Sequence, residues 1–241
     1  MEVNSMSQLE DKKHLIYILG IFAFFLFTIA DTILKLIGSF YKDTVIFSIA
    51  SFSSLVPVLI YLLYRKSINE IKTHNYKLHF IRGILMTLTY YFIVKGIILL
   101  PLSIAYPIIL SAPVLLSIMG IVLLKETVYL SKIISLVVAM FAVFLVSGFS
   151  LKQGFDTKGV IFLFCGVITL ACLDFSVRVY GKTERTIALT FYSMLITAII
   201  FFLFSLNHFS SIYLIDFLIM ISAGLIDGVA MMILIYSLRR V

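Results

Sequence analysis

The sequence predicts an all-α membrane protein: a bundle of about eight transmembrane helices, arranged as an inverted repeat of a five-helix unit whose second copy is truncated. Three observations predict it. Of 241 residues, 62% are hydrophobic and 13% charged, with mean hydropathy +1.14, whereas soluble domains run at about 45–50% apolar and about 25% charged. Apolar stretches of about 20 residues, the length that crosses the hydrocarbon core, follow one another along nearly the whole chain. The alternating segments of a membrane β-barrel do not occur. Finally, the pattern D-x3-[K/R]-x2-G occurs twice, as Asp31, Lys35, Gly38 and as Asp174, Arg178, Gly181, 143 residues apart.

The spans are expected at 15–37, 44–64, 80–99, 102–124, 131–149, 159–180, 186–206 and 213–238. The first is too long for a signal-peptide core, and no small-residue cleavage site follows it. The connectors at 39–43, 100–101 and 125–127 are short, which makes consecutive helices antiparallel neighbours. The longest polar segment, 65–77, reads as an amphipathic linker at the membrane surface. Pro57 lies inside the second span, and Pro107 and Pro113 inside the fourth. A kinked fourth span could line a path with Tyr106 exposed on it, or simply accommodate packing. Cys165 and Cys172 share one face of the sixth span, where two small buried residues are the simplest reading.

Lysine and arginine set the orientation. With the N-terminus cytoplasmic, thirteen of them fall in inside segments and three (Lys42, Lys152, Lys158) in outside segments, which favours N-in. The net charge of +7 is dispersed between apolar runs, so no nucleic-acid partner is expected; the lipid bilayer is.

Two further echoes accompany the repeated motif. Arg82-Gly83-Ile84-Leu85 matches Ala223-Gly224-Leu225-Ile226, and Thr44-Val45 matches Thr186-Ile187. They outline a first five-helix copy at 14–149 and an incomplete, three-helix copy at 159–241. An odd helix number puts the copies in opposite orientations, with a substrate site near the midplane.

Ionisable groups inside a bilayer are costly, about 2.5–3.5 kcal/mol each at a helix centre. Asp31 with Lys35, and Asp174 with Arg178, are spaced i, i+4 and meet on one face. They read either as gate or substrate contacts, or as self-neutralising pairs whose cations snorkel to headgroups. Asp227 sits mid-span with no basic residue one turn away. Its partner must come from another helix, with Lys95 a candidate, or from water or substrate. Tyr90, Tyr91 and Tyr106 offer aromatic faces to a cationic or adenine-bearing solute, or act as interfacial anchors. No phosphate loop is present, nor an H-E-x-x-H, G-x-S-x-G or clustered Cys/His signature. Neither an enzyme nor a metal or cofactor is therefore expected. His14, His74, His79 and His208 fall in loops or at span edges.

The run Arg82-Gly83-Ile84-Leu85, the corner Leu99-Leu100-Pro101-Leu102-Ser103-Ile104-Ala105, Ala112-Pro113-Val114-Leu115 and Leu124-Lys125-Glu126 together resemble the EamA-type repeat of the drug/metabolite transporter superfamily. The resemblance implies a secondary transporter of a small organic metabolite, with two five-helix repeats and alternating access. Within it, Ala30-Asp31, Lys35, Leu173-Asp174 and Leu189-Thr190-Phe191-Tyr192-Ser193 look like the S-adenosylmethionine uptake carriers of intracellular bacteria. Set against the usual ten helices, the chain looks C-terminally short. The alternative reading is therefore a transport-inactive remnant or a structural membrane subunit, and a homodimer is one way to cover the face left open.

Overall fold

The computed structural model describes residues 2–66, 68–125, 156–180, 183–209 and 212–238, together with 134, 135, 137, 138, 141 and 145; for 2–13 and 238 it describes the backbone alone. Its regular elements are helices: α1 (Glu2–Ile37), α2 (Asp43–Tyr64), a 3-10 turn (Ile68–Ile71), α3 (Tyr76–Leu99), α4 (Leu102–Ile109), α5 (Ala112–Leu124), α6 (Thr157–Tyr180), α7 (Thr186–Ser205) and α8 (Leu214–Leu238). Among the described residues, seven segments are long and apolar enough to cross a membrane, α4 and α5 counting as one. The eighth expected span, 131–149, falls outside the described residues apart from its six described positions, which are helical.

The helices depart from the sequence expectation at several points. The first span is the apolar part of a helix that starts at Glu2. The third helix starts at Tyr76, where the Asn75 side chain accepts the Leu78 N–H at 3.1 Å; hydropathy is blind to such a polar cap. The 65–77 linker contains the 3-10 turn and gives its last two residues to α3. The fourth span breaks at Leu110–Ser111. Pro113 occupies N2 of α5 and has no N–H for the ladder, so the chain closes through Leu110 N–H on Tyr106 O (2.8 Å) and Ser111 Oγ–H on Ile108 O (2.6 Å).

The chain divides into two compact units, residues 1–83 with 177–241, and residues 84–176. In the first, α1 runs antiparallel to α8. Ser237 donates to Ile16 O (2.6 Å), and a Cβ added to Gly20 would stand 3.3 Å from Ser237 Oγ. Helix α8 runs parallel to α2, and the two backbones touch: a Cβ on Gly224 would overlap the Ala50 carbonyl, and one on Gly228 the Ser54 carbonyl. Such approach between small residues is how membrane helices gain dispersion contact without a hydrophobic driving force. The start of α3 runs parallel to α7: a Cβ on Gly83 would come within 2.5 Å of Ile196 Cβ, and Thr197 Oγ1–H reaches Gly83 O at 3.4 Å. Phe47 and Phe201 meet edge-on between α2 and α7, with ring centroids 5.1 Å apart.

In the second unit α3 runs antiparallel to α6. Gly96 is covered by Leu163, and a Cβ there would stand 3.2 Å from Gly159 O; Gly159 in turn faces Leu100, and Gly166 faces Ile93. Ile97, Leu100, Ile104, Ala105, Ile109 and Leu163 form its buried core.

Candidate functional site

The expected site residues divide between the units. Asp31, Lys35, Arg178 and Asp227 belong to the first, and Lys95, Tyr106, Pro107 and Asp174 to the second. All are partly buried except Pro107, which is buried. Within the first unit the fold brings together two of them that the sequence did not pair: Asp31 and Asp227 lie close enough for their charges to interact. The α1–α8 register accounts for this. Gly20 faces Ser237, and ten residues back along antiparallel α8, about 15 Å, Asp227 reaches the level of residue 30, beside Asp31. Asp227 thus has a carboxylate as its charged neighbour, with Lys35 one turn along α1 from Asp31. Two carboxylates are brought within charge range of each other inside the bundle. Away from water, such a pair calls for a cation or a proton.

A cavity of about 850 Å³ opens in the same unit between α1, α2, α7 and α8. Its walls include Leu19, Tyr61, Met232 and Tyr236, and Arg65, Glu70 and Arg185 add charge at the connector end. Met232 is five residues from Asp227, about 7.5 Å along α8. The volume lies within the about 300–1,000 Å³ of small-molecule sites.

Two polar clusters clasp opposite ends of α2. Beyond its C-terminus, Thr73 Oγ1–H donates to Glu184 (3.1 and 3.0 Å to Oε1 and Oε2), and His79 Nε2 lies 3.0 Å from Thr73 Oγ1 and 3.4 Å from Glu184 Oε2. His79 is 1% exposed and Arg82, near enough for charge interaction with His79, is fully buried. The His79 ring packs on Tyr192 at 4.8 Å, and Arg185 Nη1 donates to Asn69 O at 3.1 Å. Before the N-terminus of α2, Tyr41 Oη–H donates to Asp216 Oδ2 at 2.5 Å, and the Tyr213 N–H points at Tyr41 Oη at 3.4 Å. The bond to the Asp216 carboxylate holds the Tyr41 phenol above its ordinary value.

Sequence reading missed Tyr41, Thr73, Glu184 and Asp216, all of which stand in or beside connectors. One signal was available: Tyr41 and Glu184 are separated by the same 143 residues as Asp31 and Asp174. His79 does lie at a span edge, as expected, yet it is buried.

Residues 14–148, more than half of the chain, match the model of the EamA-like transporter family. No curated protein matches the sequence.

Proposed function

The chain belongs to the EamA-like transporter family, and from that premise we propose that it carries a small cationic organic metabolite across the inner membrane by alternating access. The observation that carries the reading is the Asp31–Asp227 pair of carboxylates, with Asp227 five residues along α8 from Met232 in the cavity wall. Two neighbouring carboxylates suit a solute whose balance of charge is positive. S-adenosylmethionine, with a sulfonium and an ammonium against one carboxylate, has that balance, and its uptake is the specific activity proposed. The N-terminus is cytoplasmic in this reading.

The inverted repeat, with copies at 14–149 and 159–241, draws support from matched packing. Gly83 and Gly224, 141 residues apart, rest on Ile196 and Ser53, which are 143 apart. Gly96 rests on Leu163 and beside Gly159 O, while Ser237 stands on Gly20 and Ile16 O. Those three pairs of positions repeat the same offsets of 141 and 143. The third helix of each copy therefore meets the first helix of the other at equivalent positions, once in each compact unit. In this reading, Lys95, Tyr106 and Pro107 on the second unit, with Asp174 and Arg178 on α6, contribute to the path or its gating.

Ligand-induced thermal stabilisation of the purified chain tests the site. A ligand at a hundred times its dissociation constant adds about 2.7 kcal/mol. S-adenosylmethionine is expected to raise Tm saturably and to lose that effect on Asp227→Asn. A folded protein that responds to no organic cation in a metabolite panel would contradict the proposal.

A further inference from the structure

We propose that the two polar clusters at the ends of α2 are a reciprocal pair of gate latches, Tyr41–Asp216 at one membrane face and Glu184–Thr73–His79 at the other. The proposal rests on the alternating-access reading above. The first argument is position in the repeat. Tyr41 and Glu184 are 143 residues apart, the offset of the first and second helices of each copy. The segment 213–216, which supplies the Tyr213 N–H and the Asp216 carboxylate, falls on 72–75 at the 141-residue offset of the third helices, and Thr73 lies inside it. Each latch therefore joins the connector between the first two helices of one copy to the start of the third helix of the other.

The second argument is geometry. Helix α2 has 22 residues, so the latches stand about 33 Å apart, close to the hydrocarbon thickness of about 30 Å. They tie the same two copies at opposite faces. If one copy rocks against the other about the midplane, strain that opens one latch compresses the other. The third argument is chemistry. Each latch is a hydrogen bond between a carboxylate and a hydroxyl, with the roles exchanged: Tyr41 reaches from the connector to Asp216, whereas Thr73 reaches from the helix start to Glu184 in the connector. Such bonds hold a face closed yet break for the cost of about one charge-assisted hydrogen bond. The aromatic and cationic groups facing His79 of the second latch are Tyr192 on α7 and Arg82 on α3. Thr73, His79 and Glu184 are buried whereas Tyr41 and Asp216 are only partly so, which makes it the more enclosed of the two.

Hydrogen–deuterium exchange on the full chain in lipid nanodiscs tests the pair. Tyr41→Phe is expected to raise amide exchange at 212–217 by about tenfold, the scale of one lost charge-assisted hydrogen bond, and to slow exchange at 69–79. Glu184→Ala, and Thr73→Val as the milder substitution at the same latch, are expected to do the reverse. Faster exchange at the mutated face alone, or at both faces together, would overturn the reciprocity. Solute uptake by the same preparations is scored separately: wild-type protein that carries nothing argues against the transport reading, while the exchange pattern still decides whether the latches are coupled.

Discussion

A carboxylate inside hydrocarbon is tolerated when something compensates it, and Asp227 lies within charge range of a second carboxylate, Asp31. Asp227→Leu is accordingly expected to insert and fold while losing solute uptake by at least tenfold, which membrane fractionation and uptake on one preparation would show. Retained uptake would remove Asp227 from the site. At Tyr41 the chemistry differs, because this group lies outside the spans. Its bond to Asp216 raises the phenol above the ordinary value of 10.0. The folded state therefore keeps the phenol's proton more firmly than the unfolded chain. The contribution of the bond is fully present below that ordinary value and is lost only as pH rises through the raised one. The protection factor at 212–217, with the base-catalysed intrinsic exchange rate divided out, should be flat from neutral to mildly alkaline pH; a step within that window would mean the phenol is not the donor. Asp31 and Asp227 were each legible as costly charges. Their pairing was not, because it depends on the α1–α8 register that Ser237 and Ile16 set.

Between elements, the closest contact in the first unit is α8 on α2, where Gly224 and Gly228 lie under backbone carbonyls. Backbone cannot rotate aside as a side chain can. Gly224→Leu is expected to force the helices apart and to destabilise the protein by about 1–3 kcal/mol, the usual cost of overpacking, read as a lowered Tm in detergent. An unchanged Tm would mean the helices do not pack this closely. Element positions were largely legible, since an unbroken apolar run of spanning length has few alternatives in a membrane. The break in the fourth span was legible too, because Pro113 cannot complete the ladder. The starts of α1 and α3 were not, because both helices extend into polar sequence where hydropathy carries no signal. The latches were beyond reach for another reason: Thr73 meets Glu184 across 111 residues, and Tyr41 meets Asp216 across 175.

At the scale of the molecule, the proposed orientation places Lys42 and Arg185 on opposite sides of the membrane. Single cysteines at these positions, in a chain lacking Cys165 and Cys172, should react with an impermeant thiol reagent from opposite sides: Lys42→Cys from outside and Arg185→Cys from the cytoplasm. Labelling from one common side would contradict the topology. The repeat was partly legible as motif echoes, since Asp31 and Asp174 keep their spacing to Lys35 and Arg178. Its packing equivalents were not, because Gly96 and Ser237 hold matching positions with different residues, a correspondence visible only once each is seen against its partner helix.

The most direct measurement is uptake of radiolabelled S-adenosylmethionine into proteoliposomes containing the wild-type chain or Asp227→Asn. The account expects saturable uptake by the wild type, competed by other small organic cations, and none by the variant. Equal accumulation in both, or none in either while the protein is folded and inserted, would contradict a cation site built on Asp31 and Asp227.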